Sequence, residues 1–228
     1  MCGRYSFAAS KEKIQKQQGI KVQGVMQPNY NITPTTLAYV IANNSPHEFQ
    51  RFQWGLIPHW TGAQAINSGN HINARAEGIA SKPSFRIPIR QRRCIVPADS
   101  FYEWGMVGKQ KQPYRILLQD NALMSLAGIW DVWERPDRQI VYSFAIITTE
   151  ANAEMAEVHD RMPVILRSAE SQKAWLDDST DFNNILGLLQ PLPKGALKMH
   201  PVSPSLNQVS TASSPDLHKE VALPPSLF

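Results

Sequence analysis

LMSLAGIWDVW (residues 123–133), followed closely by VYSFAIIT (141–148), reads as β-strand. Both runs are rich in β-branched and aromatic residues and are bounded by Asn, Asp or Pro-containing turns. The same signature recurs outward along the chain in LAYVIA (37–42), RFQWGLI (51–57), CIVPA (94–98), YRILLQ (114–119) and MPVIL (162–166). Helical patterns are fewer. SAESQKAWLDD (168–178) opens on Ser168 as N-cap with Ser171 three residues on, ANAEMAEVH (151–159) reads as a short helix ending at a histidine, and TDFNNILGLLQ (180–190) is a third. The stretch 76–92 reads as a helix interrupted by Pro83 and Pro88. With no internal repeat and no interdomain linker, the pattern predicts one α+β domain on a largely antiparallel, barrel-like sheet with a few flanking helices. That domain is expected over residues 1–207, with a Ser/Pro-rich tail, 208–228, lying loosely on the surface or disordered.

The 228 residues are enough for one large domain, and 43% hydrophobic with 18% charged residues describes a globular chain. No apolar run approaches the ~20 residues of a membrane span, and no signal peptide is expected before the first charges. The expectation is a cytoplasmic protein, nucleoid-associated if bacterial. No Cys/His cluster has metal-ligand spacing, and the two cysteines, Cys2 and Cys94, are expected to stay reduced. Net charge is +4, unevenly spread: residues 1–120 carry +9 and residues 121–228 carry −5. The densest basic stretch, RAEGIASKPSFRIPIRQRRC, sets Arg75, Lys82, Arg86, Arg90, Arg92 and Arg93 against Glu77 alone. A polyanion such as nucleic acid suits it, and a solvated basic face suits it equally.

Cys2 stands directly behind the initiator methionine. If Met1 is removed, Cys2 presents an α-amine and a thiol on adjacent carbons. Such an amine titrates near ~8 and a thiol near ~8.5, so both are partly nucleophilic at neutral pH. The amine forms a Schiff base with an aldehyde, and the thiol closes on it to a five-membered thiazolidine. An idle N-terminus is the plain alternative.

Three polar islands interrupt the apolar runs. HINARAEG (71–78) places Asn73, Arg75 and Glu77 on one face of an extended stretch. SFYEWG (100–105) sets Glu103 between Tyr102 and Trp104, where desolvation suits a general acid, unless it is an edge-strand carboxylate facing solvent. VHDRMPVIL puts His159, Asp160 and Arg161 at a helix-to-strand junction, for proton transfer or for a structural histidine. Trp54, Trp60 and Trp104 offer stacking surfaces of the kind single-stranded nucleic acid uses, or belong to the core.

MCGRYSF, NYNITPT, WGLIPHW, NARAE, CIVPADSFYEW, AGIWDVW, SFAIITTEAN, HDRMPVIL and HPVS follow one another in the order of a known family. From Cys2 to about Asn207 the chain resembles the SOS-response-associated peptidase (SRAP) family. The resemblance implies a single SRAP domain that senses abasic sites in single-stranded DNA. It implies removal of the protein's own Met1, then a thiazolidine crosslink from Cys2 to the ring-opened sugar. By motif, Cys2 is the nucleophile, Glu103 the proton-transfer residue, His159 a second catalytic group and Asn73 the active-site asparagine. Arg4, Arg75 and Arg161 match phosphate-binding positions, and Trp60 and Trp104 line the path of the strand. One departure is Gly78, where the family commonly carries a hydroxyl residue. No cofactor is implied, and the expected partner is abasic single-stranded DNA, bound by a monomer.

Two other classes use the same opening residues. An N-terminal-nucleophile glutamine amidotransferase also begins Cys-Gly, but needs a glutamine-binding constellation that this sequence does not display. A non-catalytic single-stranded nucleic-acid-binding module would leave Cys2 idle.

Overall fold

The computed structural model describes residues 2–22, 24–62 and 71–223. Met1, on which the expected self-cleavage falls, and the last five residues of the tail lie outside the described residues.

Twelve strands form among the described residues. Early in the chain come β1 (Tyr5–Phe7), β2 (Asn29–Ile32), β3 (Leu37–Ala42) and β4 (Gln50–Trp54). β5 (Asn73–Arg75), β6 (Arg93–Ala98), β7 (Ser100–Val107) and β8 (Gln110–Leu118) follow. β9 (Met124–Glu134), β10 (Ile140–Glu150), β11 (Arg161–Pro163) and β12 (Leu197–Pro201) complete the set. The opening pair of runs thus forms the antiparallel hairpin β9–β10, with Phe144 opposite Trp130. β10 pairs on its other edge with β4, which closes β4, β3, β6, β9 and β10 into a barrel. Closure removes the free edges that an open sheet would have to protect. A second sheet runs β12-β8-β7-β1-β2.

Two pairings are parallel, and both lie on one edge of β10. Ser143 and Phe144 face Gln53 and Trp54 of β4, and Ile146 to Thr148 face Asn73 to Arg75 of β5. The chain therefore leaves this edge after Trp54 and returns to the same edge at Asn73. Gly55 makes the exit: its φ of 122° lies where only glycine is comfortable, and its N–H still bonds Phe144 O at 2.8 Å. For that reason β4 stops at Trp54, short of the strand expected through Ile57.

Alternation along the barrel strands separates two cores. Ile41, Ile95, Ala127, Ile129, Ala145 and Ile147 face outward beneath the helices. Those helices are α1 (Lys11–Gln18), α2 (Pro88–Gln91), α3 (Ala169–Leu176) and α4 (Phe182–Gly187), of which the last three cover this face. Val40, Phe52, Trp54, Cys94, Val96, Leu126, Phe144 and Ile146 form the other core, continuous with Cys2 and with Tyr5 and Phe101 of the second sheet.

Ser168 and Ser171 close a reciprocal capping box on α3, as expected. Pro88 starts α2 at its first turn rather than breaking a longer helix, because its missing N–H is free there. The expected helix over 151–159 is only a 3₁₀ turn, Met155–Glu157. Its chain is pinned just before β11, where the Asp160 carbonyl accepts Ala151 N–H at 3.0 Å. Within the described residues the segment after Asn207 packs onto the domain: Leu217 is buried and Val202 bridges Glu220.

The basic stretch divides on folding. Arg93 is 2% exposed and caps two helices from inside, donating to Trp175 O at 2.7 Å, Arg90 O at 2.6 Å and Asp177 O at 3.0 Å. Arg92 is bound to the buried Asp131, and Arg90 lies 3.7 Å over Phe182. Arg75, Lys82 and Arg86 remain exposed. Among the described residues no helix is long and apolar enough to cross a membrane.

Candidate active site

Cys2, Asn73, Glu103 and His159 come from four separate places in the chain and lie together in the fold. Cys2 enters just before β1 and is fully buried. Its Sγ lies 4.0 Å from Arg4 O, and its carbonyl accepts Asn73 Nδ2 at 2.9 Å. Asn73 is placed there by the parallel pairing of β5 with Ile146. Its Oδ1 is buried with no hydrogen-bond partner among the described residues.

Glu103 projects from β7 and is 3% exposed. Burial raises its carboxyl above the ordinary carboxylate range, an effect that nearby His159 partly opposes. The flanking aromatics are not what desolvates it. Successive strand residues face opposite ways, and Tyr102 packs with Val202, Leu206 and Leu217 on the other side. Burial likewise pushes the Cys2 thiol up, and the Glu103 carboxylate adds to the rise. Both causes favour the protonated thiol. His159 stands beside Glu103 with Nδ1 2.7 Å from Asp160 Oδ1 and accepting Arg161 N–H at 3.0 Å.

The arginines differ in kind. Arg4 is 5% exposed: Nη1 donates to Asn31 Oδ1 at 2.7 Å, and the guanidinium lies 5.7 Å from the Trp104 ring centre. Arg161 is 8% exposed and forks onto Glu77 at 2.6 and 3.0 Å, with a further bond to Thr148 O at 2.7 Å. That pair holds the Glu77 carboxyl below its usual range. Glu77 sits on the 3₁₀ turn Ala76–Gly78, so it leaves the extended face it was expected to share with Asn73. Arg75 is exposed and lines two adjoining hollows with Glu150 and Arg161, one of them also bounded by Lys82. The Nε atoms of Arg4 and Arg161 are both buried without a partner among the described residues. Such donors in a native fold call for a ligand, a water or an ion.

The tryptophans separate too. Trp60 is 58% exposed, whereas Trp54 is fully buried, with Nε1 bonded to Ile72 O at 2.9 Å. Trp104 is half-buried and donates to Asn207 Oδ1 at 2.7 Å. Three participants carried no signal as site residues: Asn31, which holds Arg4; Thr148, which holds Arg161; and Tyr5. The Tyr5 hydroxyl is buried without a partner among the described residues, and burial, then Cys2, raises its pKa well above the ordinary value.

A family described as SOS response associated peptidase (SRAP) matches residues 1–209. The chain is 39% identical over 223 residues to the abasic site processing protein YoqW of Bacillus subtilis, covering 95% of this chain and 98% of that protein. It is 32% identical over 219 residues to the abasic site processing protein HMCES of Mus musculus, covering 79% of this chain and 62% of that one. A crystal structure of a protein from Bacteroides thetaiotaomicron superposes with a TM-score of 0.87 at 30% identity, over 97% of this chain and 100% of that one.

Proposed function

The chain belongs to the SOS response associated peptidase (SRAP) family, and from there we propose that it captures abasic sites in single-stranded DNA by a covalent bond to Cys2. The observation that carries this reading is the Asn73 bond to the Cys2 carbonyl at 2.9 Å beside a buried Glu103.

The chemistry follows from those groups. Hydrolysis of the Met1–Cys2 peptide bond by the protein itself frees the α-amine. That amine adds to the aldehyde carbon of the ring-opened sugar, giving a carbinolamine. Glu103, whose burial favours the acid form, gives a proton to the carbinolamine hydroxyl, which leaves as water. The Cys2 sulfur then bonds to the same carbon, the C=N electron pair returns to nitrogen, and the thiol proton restores Glu103. One water is lost, and the product is a thiazolidine. Asn73 fixes the Cys2 carbonyl so that amine and thiol face the same carbon, and proximity of that kind is worth several orders of magnitude. His159 is placed to move a second proton, for elimination at the 3′ phosphate or for ring opening. Arg75 supplies exposed charge for the strand, Arg4 and Arg161 supply buried donors at its edge, and Trp60 and Trp104 supply stacking faces.

The test is an abasic oligonucleotide incubated with the protein, resolved under denaturing conditions and weighed intact. The expected adduct has the mass of the chain without Met1, plus the oligonucleotide, less one water. Cys2→Ala, or one residue added before Cys2, abolishes it. A Cys2→Ala protein forming an equally stable adduct rules the reading out. Reversible binding to plain strands alone, or ammonia released from glutamine, identifies the two competing classes instead.

A further inference from the structure

Cys2 has little of its own to hold it. It precedes β1, a strand of three residues whose register with β2 shifts between Tyr5 and Phe7. β2 is itself the outer strand of its sheet. The far side of β2 is occupied by residues 211–218. Tyr30 N–H donates to Ser213 Oγ at 2.8 Å, and Asn31 Nδ2 donates to Thr211 O at 2.6 Å. The His218 ring meets the Tyr30 ring edge-on at 4.7 Å, while its Nε2 lies 3.1 Å from Ser6 Oγ on β1. Ser6 continues inward to Ser100 Oγ at 2.7 Å, which accepts Arg115 Nε at 2.9 Å. Leu217 anchors the segment in the small core with Tyr102, Val202 and Leu206.

We propose that residues 211–218 form a strap that sets the position of Cys2, acting on the speed of capture and not on DNA affinity. The inference rests on the capture reading above. The links run directly to the nucleophile: Thr211 holds Asn31, Asn31 Oδ1 holds Arg4 at 2.7 Å, and Arg4 is two residues from Cys2. Through His218 the strap also grips Ser6, so the residues on either side of Tyr5, Arg4 and Ser6, are both tied. The strap's own bonds are all to protein; the one DNA-facing group it reaches is Arg4, through the Thr211 carbonyl and Asn31, a link that changes at the Ser213 and His218 side chains leave in place. Its side chains are positioning residues. A reacting group displaced by about 1 Å can lose up to ~10²-fold in rate, so a modest loosening of β1 is expected to show in the chemistry first.

The experiment uses the full chain with S213A, H218A and the double variant, on an abasic single strand in single turnover. In the double variant capture at saturating DNA is expected to slow roughly tenfold, with half-saturation within about twofold of the wild type. H218Q, whose amide also reaches Ser6, restores most of the rate. Amide hydrogen exchange at Ser6 and Phe7 speeds up in the double variant. Three results overturn the proposal: an unchanged saturating rate, rate and half-saturation moving together, or H218Q no better than H218A. If the wild type forms no adduct at all, the capture reading has failed. The strap is then judged on exchange at β1 alone, which upholds it if faster in the double variant and overturns it if unchanged.

Discussion

Glu103→Gln separates proton transfer from packing. The carboxyl is 3% exposed, and burial holds it above the ordinary carboxylate range. Glutamine matches it in size and hydrogen bonding but has no acidic proton to give to a departing hydroxyl. A positioned general acid contributes ~10²–10⁴-fold, or about 2.7–5.4 kcal/mol of barrier at ~1.36 kcal/mol per decade. Capture is therefore expected to slow within that range. Stability moves the other way. A carboxyl with a higher pKa folded than unfolded contributes fully below its unfolded value near ~4.3, and loses that contribution as pH rises through the folded value. Glutamine has no such loss. At pH ~8 the variant melts no lower than the wild type, and the wild type gains on it as pH falls toward ~4. The same titration removes the proton donor from the wild type as pH rises, a limb the variant's pH–rate profile lacks. The assay is a single-turnover time course on an abasic strand across pH, with thermal melts of both proteins in the same buffers. Capture within about threefold of the wild type, or a marked fall in melting temperature at the alkaline end, would refute the reasoning.

His159→Ala is expected to leave capture comparatively fast while changing strand cleavage or adduct reversal, scored as separate bands on one denaturing gel. Arg75→Ala, removing an exposed cation beside the site, weakens binding to all sequences alike. It lowers the slope of log K against log salt by about 1, measured by titration at several salt concentrations. Gly128→Ala brings a methyl to 2.9 Å from Cys94 Sγ and 3.1 Å from Ala145 O inside the barrel. It is expected to cost about 1–3 kcal/mol in a denaturant titration, because neither neighbour has room to withdraw.

The barrel strands were legible because each carries its own local signal. The 123–133 and 141–148 runs match β9 and β10 closely, and Ser168 with Ser171 announced the start of α3. Where a local signal was weak, structure was missed or misread. α1, a polar helix with only Ile14 buried, has little apolar periodicity to display. The 151–159 segment has good helix formers, yet its chain is pinned just before β11 and keeps one 3₁₀ turn.

Order along the chain and residue chemistry determined which side chains could react: a cysteine directly behind the first methionine, a carboxylate in a strand, a histidine two residues before an arginine. None of that says which way a side chain faces or what meets it. Trp54 and Trp60 stand six positions apart, and one is fully buried while the other is 58% exposed. Of six basic residues in one stretch, Arg93 became a buried cap for two helices and Arg75 stayed in solvent. Burial of Glu103, the fork between Arg161 and Glu77, and the Asn73 bond to Cys2 span from 71 to 84 residues of sequence or depend on contacts as distant. The bond and the fork exist because β10 carries β5 parallel on one edge and β11 antiparallel on the other. A strand's period places its residues on alternate faces, but which face becomes interior is decided by the partner across the ladder, and that partner is chosen by the whole fold.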